Sequence, residues 1–146
     1  MGTVVDTTVF TALARAVRGL PFSDAMSGVA ARLEGQLGHR EEVAMAAITA
    51  SELLHGVRRA TEEHRGRREA FVEAVLTAIP VLAFDLLVAR VHARLWSALA
   101  QGGVDVGAHD RIVAATAISA GWRVATGDIR HFSRVTELDV VVVQLA

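Results

Sequence analysis

The chain has 146 residues, 52% of them hydrophobic, with 15 basic and 16 acidic side chains and a formal net charge of −1. That length suits one domain over residues 1–146 with a sizeable core. Cys is absent, which excludes disulfides and thiolate metal sites, and every basic residue other than His is Arg.

Near neutrality excludes the broad positive field of a general nucleic-acid binder, so any attraction to phosphate must be local, from a few arginines or a bound metal. No basic stretch precedes an apolar one at the N-terminus, and no apolar run reaches membrane-spanning length. A soluble, cytoplasmic protein with no membrane partner is expected.

Thr3-Val4-Val5 is a β-branched run and predicts a strand. Thr7 to Val17 predicts a helix with Phe10, Leu13 and Val17 on one face, broken by Gly19 and Pro21. Ser23 to Leu37 predicts a second helix, ended by Gly38. Leu20 and Phe22, between the two, add to an apolar stripe that suits a groove for a partner segment.

Val43 to Ile48 predicts a second strand and Thr49 to Glu63 a third helix, with Gly66 separating it from a fourth that ends near Ile79. Pro80 leads into a short strand, Val81-Leu82-Ala83. Asp85 to Ala100 predicts the longest helix, with Val88, Val91, Leu95 and Leu99 at helical spacing and Gly102-Gly103 as its stop. An Ala-rich helix from Asp110 to Ala120 ends at Gly121.

Arg123 to Thr126 predicts a fourth strand and Asp139 to Val143 a fifth, whose valine run suggests burial on both faces. Alternating strands and helices imply an α/β fold. The expected form is a three-layer α/β/α sandwich around one parallel sheet of about five strands. Ligands of such sheets bind beyond the carboxyl ends of the strands.

Four carboxylates fall near that rim. Asp6 follows the first strand and opens the first helix, where Asp commonly serves as an N-cap. Thr49-Ala50-Ser51-Glu52 matches a capping box, which would turn Glu52 back onto Thr49. Asp110 opens the Ala-rich helix, and Asp128 sits in a Gly127-Asp128 turn beyond the fourth strand. Asp85 reads as an ordinary N-cap. The shared location of the other four favours a site. Neighbouring carboxylates repel unless a cation intervenes, and hard oxygen ligands suit Mg²⁺ or Mn²⁺. His109 and His131 adjoin two of these acids. The arginines from Arg58 to Arg68 alternate with Glu62, Glu63 and Glu69, and read as a self-paired helix surface.

Val4-Val5-Asp6-Thr7-Thr8, Ile48-Thr49-Ala50-Ser51-Glu52-Leu53-Leu54-His55-Gly56-Val57 and Ala108-His109-Asp110-Arg111-Ile112-Val113-Ala114-Ala115-Thr116-Ala117 resemble the three main motifs of PIN domains. Val124-Ala125-Thr126-Gly127-Asp128-Ile129-Arg130-His131-Phe132 resembles the fourth. Order, spacing and flanking residues are similar to the VapC branch of bacterial VapBC toxin–antitoxin pairs.

The resemblance implies an endoribonuclease that uses Mg²⁺ or Mn²⁺. It also implies a cognate antitoxin as partner, and a homodimer or a toxin–antitoxin hetero-oligomer. Asp6, Glu52 and Asp110 match the family's characteristic acids. Asp128 falls where this branch carries Asn or Asp. Thr7 and Thr126 match hydroxyl positions near the family's site, and His131 stands where many relatives carry an acid before the Phe.

Three other functions compete with this one. A haloacid-dehalogenase-like phosphotransferase requires a second Asp two residues after Asp6, and that position is Thr8. A PIN-like RNA- or protein-binding module without catalysis leaves four acids without a role. A metal-independent ribonuclease requires paired His as acid and base, and the six histidines show no such pairing in the sequence.

Overall fold

In a computed structural model, which describes residues 2–144, five strands form one sheet in the order β3-β2-β1-β4-β5. The strands are β1 (Gly2–Val5), β2 (Glu42–Ala46), β3 (Val81–Leu82), β4 (Arg123–Thr126) and β5 (Val140–Val142), and every neighbouring pair is parallel. The β-branched start of the chain becomes the central strand because both its faces are covered: Thr3, Val4 and Val5 are fully buried.

Successive side chains on a strand point to opposite faces, and the core divides accordingly. Val5, Met45 and Ala125 pack with α1 (Thr7–Ala16), α2 (Phe22–Leu37), α3 (Ala47–Arg59) and α4 (Glu62–Ala78). Val4, Ala46 and Val124 pack on the other side with α5 (Leu86–Gln101) and α6 (Ala108–Ala120). The three-layer sandwich around a five-stranded parallel sheet therefore stands as expected. The face of α6 against the sheet is nearly all small, with Ala114, Ala115 and Ala117 fully buried. Small side chains let the helix lie close to the strands.

The strand order fixes where a site can form. The chain moves outward from β1 through β2 to β3, then crosses back to β4 on the far side of β1. At such a reversal the flanking connections leave in opposite directions and open a crevice at the carboxyl ends of the two strands. Asp6 directly follows β1 and Thr126 ends β4, so both stand at that crevice.

Several local expectations are corrected. The second strand stops at Ala46 and α3 begins at Ala47, with no glycine or proline between to delay the helix. Thr49 therefore lies inside the first turn; it is not the N-cap, and its buried hydroxyl has no partner among the described residues. The break between α3 and α4 falls at Ala60–Thr61, and Gly66 sits within α4. An exposed Gly costs a helix about 1 kcal/mol, which a 17-residue helix tolerates.

Helix α6 starts at Ala108 behind Gly107, which puts Asp110 in its first turn instead of at its cap. The valines of β5 are not buried on both faces, because β5 is an edge strand: Val140 and Val141 are half-buried and Val142 is exposed. Of the apolar stripe on the first two helices, Phe10, Leu13 and Val17 enter the core, while Leu20 and Phe22 stay exposed at 47% and 56%. Asp85 caps α5 as expected, accepting from the Val88 amide at 3.0 Å.

The start of β1 is closed by an aromatic ring. A Cβ on Gly2 would stand 2.0 Å from the Trp122 indole, so only Gly fits without moving the ring. Gly2→Ala is expected to cost about 1–3 kcal/mol by overpacking. Trp122→Leu in the same chain should make the pair less destabilised than the sum of the single changes. Urea denaturation of the three variants checks this, and an unchanged midpoint for Gly2→Ala overturns it.

Candidate active site

Asp6 is the residue between β1 and α1. Its extended backbone makes it the N-cap, and its Oδ1 accepts from the Thr8 amide at 3.0 Å. The same carboxylate also accepts from the Thr8 hydroxyl and, through Oδ2, from the Thr126 hydroxyl at 2.8 Å. Capping and site roles are thus not alternatives here. The group is 3% exposed. Burial pushes its pKa above the usual carboxylate value, while the Thr8 and Thr126 hydroxyls pull the other way.

Thr8 does a second job. Its hydroxyl accepts from the Gly127 amide at 2.8 Å, tying the start of α1 to the loop after β4. A Cβ at Gly127 would approach that hydroxyl to 3.2 Å. The sequence reading singled out Thr7 and Thr126 and missed Thr8. The available signal was its place two residues after an Asp cap, where the cap's own hydrogen bonds are made.

Glu52 sits in the second turn of α3 and does not turn back to Thr49. Its Oε1 accepts from the Thr7 hydroxyl at 2.8 Å, and its Oε2 lies 3.5 Å from His109 Nδ1. The capping-box reading of Glu52 is thereby overturned, since the early start of α3 removed its cap. Asp110 projects from the first turn of α6 with its Oδ2 3.4 Å from His131 Nδ1. Burial raises the Asp110 pKa; His131 lowers it, and the negative charges of Asp6 and Glu52 raise it further. Three of the four acids therefore act on one another.

Asp128 behaves differently. Its carboxylate caps the 3-10 turn Ile129–His131, accepting from the Arg130 amide at 3.0 Å. The Arg130 guanidinium then forks onto it, Nε to Oδ1 at 3.0 Å and Nη2 to Oδ2 at 2.7 Å. Arg130 holds the Asp128 pKa down to about 2. His131 Nε2 lies 3.7 Å from Asp128 Oδ2, so one imidazole stands between Asp110 and Asp128.

The arrangement concentrates like charge on three partly buried carboxylates and pairs the fourth with a cation. Among the described residues, no group of three or more His, Asp or Glu side chains is placed so that it could hold a metal ion as it stands.

Comparison with known proteins follows the same line. The family model for the PIN domain matches residues 3–138. Ribonuclease VapC of Rickettsia bellii is 31% identical over 146 residues, covering 99% of this chain and 98% of that one. Among solved structures, the fold is similar to VapBC-5 from Mycobacterium tuberculosis, with a TM-score of 0.71 and 29% identity over 97% of this chain and 98% of that one. DNA-bound VapBC from Salmonella typhimurium has a TM-score of 0.78 at 22% identity, covering 99% of each chain, and shares the fold.

The raised pKa values of Asp6 and Asp110 carry a pH signature. Between the ordinary value of 3.8 and the raised values, the native state binds more protons than the unfolded chain. Their contribution is at its most favourable below that ordinary value and is lost as pH rises through the raised pKa values. In chelator, Asp6→Asn should flatten this decline and melt at least as high as the parent at about pH 7. Urea titrations of both proteins across the acid range check it; parallel stability profiles overturn it.

Proposed function

The chain belongs to the PIN domain family, in its VapC ribonuclease branch, and from that premise we propose that it is a divalent-metal-dependent endoribonuclease, the toxin of a cytoplasmic toxin–antitoxin pair. One observation carries this reading most directly. Asp6, Glu52 and Asp110 lie on the carboxyl-end side of the sheet, where the strand order reverses; Glu52 accepts from Thr7 beside Asp6, and Asp110 feels the charge of both other acids. Repelling, partly buried carboxylates are stabilised by a shared cation.

The donor chemistry fits Mg²⁺ or Mn²⁺: all-oxygen and hard, with one ligand buried and destabilised as a bare anion. Asp6, Glu52 and Asp110 would hold the ion, and Asp128 would contribute directly or through water. When bound, the ion would supply a Lewis acid for the phosphate and lower the pKa of the attacking water. The chain's own residues do the positioning. Thr8 and Thr126 fix both oxygens of Asp6, and Thr7 fixes Glu52. Water attack on phosphorus with the 3′-oxygen leaving gives a 5′-phosphate and a 3′-hydroxyl.

RNA cleavage is expected with Mg²⁺ or Mn²⁺ and none in chelator. Asp6→Asn and Glu52→Gln should each lower it by orders of magnitude. Glu52→Gln should cost less than about 1 kcal/mol of stability, because Gln still accepts from Thr7. Mg²⁺ should also raise the melting temperature of the parent but not of Asp6→Asn. Undiminished cleavage in excess chelator overturns the reading.

Two surfaces suit the expected protein partners. A groove of about 900 Å³ is floored by Val17, Leu20, Phe22 and Phe71, with Arg59 and Arg67 among its lining residues. It is the seat proposed for an antitoxin segment. Elsewhere Phe84, Leu86 and Leu87 are exposed by 43%, 67% and 61% at the start of α5. That much exposed apolar surface suits a homodimer contact. Leu87→Asp is expected to convert dimer to monomer in sedimentation velocity; a variant that sediments as the parent does removes α5 from the interface.

A further inference from the structure

We propose that Arg130 is the phosphate-gripping residue of the site, held in position by Asp128, and that it contacts the RNA backbone beside the acids. The inference rests on the ribonuclease reading and deepens it by naming a substrate contact on this chain.

The need for such a residue follows from charge. The chain is slightly acidic, has no Lys, and gathers Asp6, Glu52, Asp110 and Asp128 at one rim. RNA approaching that rim meets like charge. The general field of the molecule gives no help, so a cation near the acids must supply the attraction. Among the described residues, Arg130 is the arginine that forms an ion pair with any of the four acids. Its neighbours in the site, His109 and His131, also lean on carboxylates.

The geometry fixes the guanidinium while leaving much of it open. Asp128 takes Nε–H and one Nη2–H. Arg carries five N–H donors in a planar fork, and Nη1 keeps both of its own, with no hydrogen bond to any described residue. The side chain is 86% exposed, so these donors face solvent. An arginine anchored on one edge loses less freedom when it binds a phosphate on the other. The anchor is connected to the rest of the site. His131 lies between the two acids, its Nε2 3.7 Å from Asp128 Oδ2 and its Nδ1 3.4 Å from Asp110 Oδ2, so the anchor stands beside the acid cluster.

An ordinary surface ion pair predicts something else. An exposed i, i+2 pair contributes little to stability and has no bearing on RNA. The two accounts separate in a binding measurement made without metal, where cleavage does not interfere. The probe is a fluorescein-labelled single-stranded RNA 12-mer (length about one helical turn) in EDTA, followed by anisotropy across a range of salt.

Arg130→Ala is expected to weaken binding about tenfold and to lower the salt slope by about 0.7, the value for one lost phosphate contact on a single strand. Arg130→Lys should keep the salt slope but recover affinity only in part, because ammonium lacks the fork. Asp128→Asn should weaken binding two- to threefold, about the cost of freeing the side chain. Arg134→Ala removes an exposed arginine nearby in sequence and serves as the charge control; it should bind within about twofold of the parent.

Equal binding by Arg130→Ala and the parent overturns the assignment. So does an equal loss in Arg134→Ala, which would reduce the effect to net charge. A parent protein that neither binds nor cleaves RNA overturns the ribonuclease reading itself. Cleavage by the parent with undiminished binding in Arg130→Ala sinks the Arg130 assignment alone.

Discussion

A carboxylate buried at the end of the central strand sets the terms for everything around it. Removing the Asp6 charge from water is unfavourable unless its oxygens are hydrogen-bonded. The chain meets that requirement from separate segments: the amide and hydroxyl of Thr8 at the start of α1, and the hydroxyl of Thr126 at the end of β4. These contacts lock α1 against β4 directly across the crevice. The loop after β4 is then held as well, because Thr8 also accepts from Gly127. Even so, the Asp6 pKa stays raised. The hydrogen bonds position the carboxylate without fully compensating its burial.

Two kinds of carboxylate share the rim as a result. Asp6 and Asp110 are made less acidic by burial and by their neighbours. Asp128, forked by Arg130, is made more acidic. The contrast follows from position in the fold. The first two lie at the base of the crevice, between strands or against α6. Asp128 lies past a glycine on a turn that leads away, where an arginine two residues on can reach it. The same local rule, an acid capping the following turn, operates at Asp6 and at Asp128. The surroundings decide what each cap does next.

The fold was legible because its signals are repetitive. β-Branched strands, helical apolar spacing and glycine stops recur along the chain and agree with one another. The four acids were legible as candidates because each falls near the end of a strand or the start of a helix. What the sequence concealed was boundary detail and side-chain direction. Thr49 through Glu52 reads as a capping box, and only the start of α3 at Ala47 shows that Glu52 is released toward Thr7. Thr8's tie to Gly127 joins segments 119 positions apart, and no local pattern encodes that Arg130 turns back onto Asp128. The four valines of the last strand suggested a buried centre. Sheet order, a global property, makes that strand an edge.

The same sheet order has a consequence for synthesis. β1, at the middle of the sheet, is made long before β4, its partner on one side, to which it is joined by contacts 120 residues apart in sequence. Until Arg123–Thr126 has emerged, β1 has one open flank and Asp6 lacks the Thr126 hydroxyl. Pairings of such long range form late and slowly. A partial chain that stops before β4 thus carries Asp6 without the surroundings that orient it, and the pocket around that carboxylate closes only once β4 is in place.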